Sequence, residues 1–294
     1  MKRGAIRKRE FDGALVLERR MLGTCNVLAL DRNRCIGCNI CVKICPEEAP
    51  RLLSAVIRDG KLLKMGFIDI DAGKCTLCGE CVVLCPANAI EIMRNGKEII
   101  PVIEAGVFPD LLKEIVVDVG RCNLDCELAC RESCPTKAIS ITTEKAESGE
   151  MIRIIEVDID RDKCIFCGKC ESACPQTAIH VVRPFQGLVQ LKTDLCPDNC
   201  QACVDVCPSK ALILYENGKP RIEERFCIYC GACQEVCPEK AIGMQRTRIL
   251  HNLIKSGAWI TALEKLMSLQ YLDKELSAKS MKKLREAVRN IDRF

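Results

Sequence analysis

Residues 35–46 read CIGCNICVKICP: Cys35, Cys38 and Cys41 stand two residues apart, and Cys45 follows after three more, with Pro46 behind it. The same arrangement returns in CTLCGECVVLCP (Cys75, Cys78, Cys81, Cys85), CIFCGKCESACP (Cys164, Cys167, Cys170, Cys174) and CIYCGACQEVCP (Cys227, Cys230, Cys233, Cys237). Two looser copies complete the set: CNLDCELACRESCP with Cys122, Cys126, Cys130 and Cys134, and CPDNCQACVDVCP with Cys196, Cys200, Cys203 and Cys207. Six quartets, each ending in Cys-Pro, use 24 of the 25 cysteines. Such a repeat decides the architecture before any single element is assigned.

The surroundings repeat as well. Short alternating or β-branched runs precede the quartets, as in FIDIDAGKC, IVVDVGRC, IIEVDIDRDKC and LVQLKTDLC, and small-residue steps lead out of them into ANAIEIM, TKAISIT, QTAIHVV, SKALILY and EKAIGMQ. Runs this short read as hairpin strands, not as stable helices. The unit is therefore strand, cysteine loop, one helical turn, strand. Gaps of 29, 36, 29, 21 and 19 residues separate successive quartets, which groups them first with second, third with fourth, fifth with sixth. The connector from Asn95 to Glu114 contains Pro101 and Pro109 and separates the first two pairs.

Three thiolates two residues apart wrap one four-iron cubane, with the intervening N–H groups aimed at its sulfurs; the fourth cysteine is carried away on a helical turn toward the neighbouring cluster. The expected ligand sets are crosswise. They are Cys35, Cys38, Cys41 with Cys85; Cys75, Cys78, Cys81 with Cys45; Cys122, Cys126, Cys130 with Cys174; Cys164, Cys167, Cys170 with Cys134; Cys196, Cys200, Cys203 with Cys237; and Cys227, Cys230, Cys233 with Cys207, giving six [4Fe-4S] clusters. Exchange of the fourth ligand ties the halves of each pair together and lets a small core fold. Zinc and disulfides are the competing readings, but zinc favours paired C-x2-C knuckles and gives no reason for a proline after every fourth cysteine.

The irregular quartets leave alternatives open. From Cys122 to Cys134 the spacing is four throughout, which fits either an enlarged cluster loop or a helical stripe of buried thiols. Cys196, Cys200 and Cys203 stand at the C-x3-C-x2-C spacing of radical S-adenosylmethionine enzymes. Such an enzyme needs an alternating strand–helix barrel behind the motif, whereas here Cys207-Pro208 and the ALILY strand continue the repeat. The expectation is a ferredoxin loop with one extra residue, and a radical site is the alternative.

In a chain of 294 residues, 25 cysteines indicate either a disulfide-rich secreted protein or a metal protein. The first thirty residues break their apolar stretches with charges, the Arg19-Arg20 pair has no apolar run behind it, and nothing approaches the roughly 18 apolar residues of a membrane span. A cytoplasmic metal protein without a direct membrane span is expected. The net charge of +4 divides unevenly: residues 1–24 carry seven Lys/Arg against three acids, residues 245–294 eleven against five, and the middle is acidic. Six clusters at about −2 each bring the loaded protein to about −8. The basic ends read as docking arms, and no nucleic-acid partner is expected.

Other features carry less. Cys25 is left over, either a buried strand thiol or an additional ligand. His180 and His251, the only histidines, leave little material for acid–base catalysis. Ile36, Ile165 and Ile228, each following a first cysteine, are placed to exclude water from a cluster, with Phe166 and Tyr229 beside the last two. From Gln245 the chain reads as helices, RILHNLIKSG, AWITALEKLMSLQ and DKELSAKSMKKLREAVRNI; Trp259, Leu263, Leu266 and Met267 form a stripe that either packs on the modules or is offered to a partner subunit.

The fold class expected is α+β: three tandem two-[4Fe-4S] bacterial-type ferredoxin modules of short βαβ pseudo-repeats. The parts are a basic arm (1–24), modules at 25–113, 114–187 and 188–244, and a helical tail (245–294). With these residues in view, the chain resembles the archaeal polyferredoxins, most closely the polyferredoxin subunit of formylmethanofuran dehydrogenase, over about 25–244. The resemblance rests on the tandem C-x2-C-x2-C-x3-C-P motifs, their AI-type strands and the CPDN-C-x2-C-x3-CP variant. It implies a non-catalytic electron-transfer subunit joining a molybdenum or tungsten enzyme to heterodisulfide reductase or hydrogenase partners. The relatives usually carry eight clusters against six motifs here. Polyferredoxins of energy-converting hydrogenases are the nearest rival, and a non-conducting iron–sulfur scaffold is a third reading.

Overall fold

The computed structural model describes residues 6–145, 151–254 and 256–267. Its plan is one arrangement used three times. In each module the strand entering the first loop pairs with the strand leaving the second, and the strand leaving the first loop pairs with the strand entering the second. Thr24–Asp31 pairs with Ile90–Arg94 and Pro50–Leu53 with Phe67–Ile70. Glu114–Val117 pairs with Ile179–Val182 and Ile139–Lys145 with Met151–Ile159. Phe185–Leu191 pairs with Ile242–Ile249 and Leu212–Leu214 with Pro220–Ile222. All six pairings are antiparallel, so each cysteine loop is clamped at both ends by strands belonging to its partner loop.

The helical turns between the strands are short. Ile40–Ile44, Glu80–Val83, Ala129–Glu132, Lys169–Ala173, Ala202–Val206 and Ala232–Val236 each carry the third cysteine of their quartet on or beside their first turn. The third quartet is a loop of 3-10 turns at Val119–Arg121 and Leu124–Cys126 leading into the Ala129–Glu132 turn, not one long helix. The stripe-of-thiols alternative is thereby excluded.

Two expectations are corrected. The N-terminal segment is no arm: Ile6–Phe11 and Ala14–Met21 are two antiparallel strands that extend the first module's sheet to five, in the order Ile6–Phe11, Ala14–Met21, Thr24–Asp31, Ile90–Arg94, Lys97–Glu98. Leu15 and Leu17 on the added strand, with Leu28 and Leu30 beside them, are at most 1% exposed and close over the cysteine loops. Burying each such leucine contributes roughly 2 kcal/mol, which outweighs the pull of the flanking arginines toward solvent. The second correction is the boundary at residue 244, which falls inside the strand Ile242–Ile249. The RILHNLIKSG segment therefore begins as a strand, and His251 makes an isolated bridge to Leu111.

The AWITALEKLM helix is present as Gly257–Met267. Its apolar face packs on the protein itself: Trp259, Ala262 and Leu266 share a core with Ile40, Ile44 and Leu84 of the first module and Phe185 and Ile249 of the third. Trp259 meets Phe108 edge-on at 5.2 Å between ring centroids and donates from Nε1 to His251 Nε2 at 3.3 Å. The segment DKELSAKSMKKLREAVRNI lies outside the described residues.

Candidate metal centres

The backbone of the cysteine loops is shaped before any side chain is considered. In each regular quartet the residues two and four places after the first cysteine have positive φ: Gly37 and Asn39, Leu77 and Gly79, Phe166 and Gly168, Tyr229 and Gly231. Alternation of this kind turns successive N–H groups to one side and forms a concave, anion-binding nest. Leu77, Phe166 and Tyr229 hold this conformation without being glycine, a strain found where the surroundings over-determine the backbone. In the irregular loops Glu127 and Leu128, and Asn199, take the positive φ instead.

After each fourth cysteine the pattern is uniform. The residue three places on, Glu48, Asn88, Lys137, Thr177, Lys210 or Lys240, is left-handed in all six repeats, irregular ones included. In five of them the next amide donates to the cysteine at 3.3 Å: Ala89 to Cys85 Sγ, Ala138 to Cys134, Ala178 to Cys174, Ala211 to Cys207 and Ala241 to Cys237. Amides also reach the first and second cysteines, for example Leu77 to Cys75, Glu80 to Cys78, Phe166 to Cys164 and Ala232 to Cys230. Hydrogen bonds to the sulfurs are a principal determinant of the potential of a bound cluster.

The two loops of each module bring their thiols close to one another. Cys85 is near enough to raise the pKa of Cys35, Cys38 and Cys41 as well as of Cys81 in its own loop, and Cys45 that of Cys75, Cys78 and Cys81. Cys174 bears on Cys122 and Cys130, and Cys134 on Cys164, Cys167 and Cys170. Cys237 bears on Cys196 and Cys203, and Cys207 on Cys227, Cys230 and Cys233. Burial is the larger cause throughout: it pushes Cys170, Cys203 and Cys227 up to about 12. Cys126 and Cys200, partly buried, complete the two irregular loops.

These cages fit a four-iron cluster. Cys35, Cys38, Cys41 and Cys85, together with Cys81, line a hollow walled by Leu30, Ile40, Ile68 and Ile90; Cys45, Cys75, Cys78 and Cys81 line a second. Cys134, Cys164, Cys167 and Cys170 line a third. Two sulfurs on one tetrahedral zinc would stand about 3.8 Å apart. Among the described residues no group of three or more Cys, His, Asp or Glu side chains is placed to hold a single metal ion.

Two family models, each described as a 4Fe-4S dicluster domain, match residues 34–89 and 121–178 and residues 188–238. A ferredoxin of Pyrobaculum islandicum is 34% identical over 76 residues, 26% of this chain and 68% of that protein. The chain belongs to the dicluster ferredoxins. It is a polyferredoxin of the archaeal kind, with three 4Fe-4S dicluster domains in tandem. The polyferredoxin protein MvhB of Methanothermobacter marburgensis is 32% identical over 111 residues, 34% of this chain and 23% of MvhB. Among solved structures, a chain of the formate dehydrogenase–heterodisulfide reductase–formylmethanofuran dehydrogenase complex of Methanospirillum hungatei superimposes with a TM-score of 0.75 at 29% identity, covering 89% of this chain and 91% of that one. The chain spans between 12% and 53% of the first curated relatives it matches. The match over 188–238 takes in Cys196, Cys200 and Cys203 as half of a dicluster domain.

The polyferredoxin's three modules meet at one junction. Ile36, Ile165 and Ile228, one from each module, are at most 9% exposed and belong to a single apolar core with Val189, Leu212 and Ile242. First and third modules touch where Gly231 approaches Cys38; a Cβ on Gly231 would lie 3.9 Å from the Cys38 carbonyl oxygen. First and second are tied by Asn88, whose Nδ2 donates to the Arg161 and Cys164 carbonyls at 3.0 and 3.2 Å and whose Oδ1 accepts from Lys113 Nζ at 3.0 Å. The Val56–Arg58 and Lys61–Lys64 hairpin reaches from the first module to the fifth loop, with Gly60 accepting from the Gln201 amide at 2.8 Å.

Sequence reasoning missed several contributors. Arg19, dismissed as half of an arginine pair, donates to the carbonyls of Cys75 and Thr76 at 3.1 and 3.2 Å and braces the second loop. Asn88 and the Ala amides were readable only as turn residues. Cys25 lies partly exposed on the strand Thr24–Asp31, 3.9 Å from Glu18 Oε1, and its thiol joins none of the six sets.

Proposed function

We propose that this polyferredoxin is a non-catalytic wire of six [4Fe-4S] clusters in a cytoplasmic redox complex of archaeal C1 metabolism, of the kind built around formylmethanofuran dehydrogenase. The ligand sets are the six crosswise quartets. The observation that carries the reading is the correspondence, over nearly the full length of both, with a chain of the Methanospirillum complex. Bound clusters supply carriers that each accept and release one electron. The chain's own residues hold them by thiolate, orient N–H groups at the sulfurs, and keep water out of the junction through Ile36, Ile165 and Ile228.

The shared ligands keep the two clusters of a module close, and the junction core brings the modules within reach of one another. No helix among the described residues is long and apolar enough to cross a membrane. Its partners on this reading are a molybdenum or tungsten enzyme on one side and a heterodisulfide reductase or hydrogenase assembly on the other. A hydrogenase-linked complex is the second reading, because the cysteine repeat is common to the polyferredoxins of both kinds of assembly.

Anaerobic purification of the tagged chain from its own cells, with identification of the co-purifying subunits, tests the partners. Recovery of a pterin-dependent dehydrogenase subunit is expected; recovery of hydrogenase subunits alone would replace the first reading with the second. To separate conduction from scaffolding, Cys78→Ser is introduced into the assembled complex. Electron throughput between the partners should fall, and unchanged throughput would leave only a scaffold.

A further inference from the structure

Among the described residues Arg246 is the one arginine that is buried, 4% exposed, on the strand Ile242–Ile249. Its Nη2 donates to the Cys230 carbonyl oxygen at 2.6 Å, its guanidinium carbon lies 5.8 Å from the Phe185 ring centroid, and its Nε is buried without a hydrogen-bond partner. A Cβ on Gly231 would stand 3.6 Å from that Nη2 and 3.9 Å from the Cys38 carbonyl oxygen, so the guanidinium lies at the seam between the first module's Cys38 loop and the third module's Cys230 loop.

A charge taken this far out of water needs an opposite charge nearby. Among the described residues the Arg246 guanidinium forms no ion pair with a carboxylate. The one carboxylate that bears on it, Glu235, is already bonded to Lys43 at 3.0 Å. The other groups acting on it are Cys38, Cys230 and Cys227, which belong to the two cysteine sets on either side of the seam. In the loaded protein those sets carry net negative charge, and that charge increases by one whenever either cluster is reduced.

We infer that Arg246 is a buried counter-charge shared by the cluster of Cys35, Cys38, Cys41 and Cys85 and the cluster of Cys227, Cys230, Cys233 and Cys207, and that it raises the potential of both. It is a positioning and tuning residue and not a ligand. Its consequence for electron flow is that the seam between the first and third modules is a resting place for the electron: reduction on either side is stabilised by the same fixed cation. The seam between the first and second modules holds a different cation, Lys113, whose Nζ donates to Asn88 Oδ1 at 3.0 Å beside the Phe166 ring and whose pKa is lowered by desolvation.

This inference rests on the six-cluster reading, and iron content separates the two: wild-type protein well short of six clusters would overturn that reading, whatever Arg246 does. The test is a potentiometric titration of the full-length, cluster-loaded chain followed by EPR, comparing wild type with Arg246→Gln, Arg246→Leu, Arg246→Lys and Lys113→Gln. In the Gln and Leu variants two clusters should become harder to reduce. At the wild-type midpoint the ratio of reduced to oxidised form should fall about tenfold for each, a downward shift of about 59 mV. Arg246→Lys should restore most of the loss, and Lys113→Gln, at the other seam, should leave the potential of the Cys227, Cys230, Cys233 and Cys207 cluster unchanged. A purely structural role predicts lower melting temperatures with unchanged potentials, and that result would overturn the proposal. Should both neutral variants lose iron instead, Arg246→Lys decides: full iron content supports the counter-charge, and the same loss as in Arg246→Leu overturns it.

Discussion

Crosswise ligation makes a prediction about iron content that no sequential arrangement shares. Cys85 follows Cys75, Cys78 and Cys81 in the chain, and it bears on Cys35, Cys38 and Cys41 of the first loop but, within its own quartet, on Cys81; the Ala89 amide donates to its sulfur at 3.3 Å. Removing it with Cys85→Ala should release one cluster, about four of about twenty-four irons per chain. Cys38→Ala should cost the same four, and Cys78→Ala a different four. The double variants then decide. Cys38→Ala with Cys85→Ala removes two ligands of one cage and should leave about twenty irons, whereas Cys78→Ala with Cys85→Ala empties two cages and should leave about sixteen. Iron and sulfide analysis on anaerobically purified protein resolves that difference, and EPR spin counting after full reduction checks it independently. If the Cys78/Cys85 pair lost no more iron than either single variant, the quartets would be closed along the chain and the crosswise argument would be wrong.

Loading should also release protons: burial holds Cys170, Cys203 and Cys227 near 12, against an ordinary thiol value of 9.0, so they are protonated at neutral pH and must ionise to bind iron. Reconstitution in weakly buffered medium should therefore acidify it and be favoured as pH rises, and absence of proton uptake by the buffer would refute this. The sign is opposite for the unloaded fold, whose stability should fall as pH climbs from 9.0 toward about 12, where the unfolded chain ionises and the buried thiols do not; alkaline unfolding of the iron-free chain measures it. Gly60→Ala puts a Cβ 2.8 Å from Cys200 Cα at a position with φ of +74° and should cost about 2 kcal/mol, with preferential loss of the fifth loop's cluster. Trp259→Ala, at a residue 1% exposed, should cost about 3–5 kcal/mol by denaturant unfolding; a cost below about 1 kcal/mol would mean that the Gly257–Met267 helix is offered outward after all.

The repeat, the grouping of quartets into three modules and the short strands on either side of each loop could be read from residues because cluster ligation is local chemistry. Cysteines two residues apart dictate a tight loop, and the left-handed residue three places after each fourth cysteine belongs to the same short segment. The enlarged loops at Cys122–Cys134 and Cys196–Cys207 were legible for the same reason, since Pro135 and Pro208 mark an ending that the structure repeats at Lys137 and Lys210. The N-terminal hairpin was not. Its apolar residues are interrupted by arginines and lysines, and only the sheet edge at Thr24–Asp31 gives Leu15 and Leu17 something to cover. The start of the tail misled in a similar way: Ile242–Ile249 carries a spacing compatible with either period, and its pairing with Phe185–Leu191, nearly sixty residues earlier, selected the strand.

What the amino-acid order settled unaided was the kind of cofactor, a consequence of thiolate geometry over a dozen residues, and the grouping of loops into modules, a consequence of the gaps between quartets. Which loops face one another across module boundaries was left to tertiary packing. Ile36, Ile165 and Ile228 occupy equivalent places in their repeats, and no local pattern distinguishes them from other water-excluding residues until three apolar surfaces are pressed together. The same packing withdrew Arg246 from water and set it between Cys38 and Cys230, because apolar burial is non-directional and takes its partners from shape, not from neighbourhood in the chain.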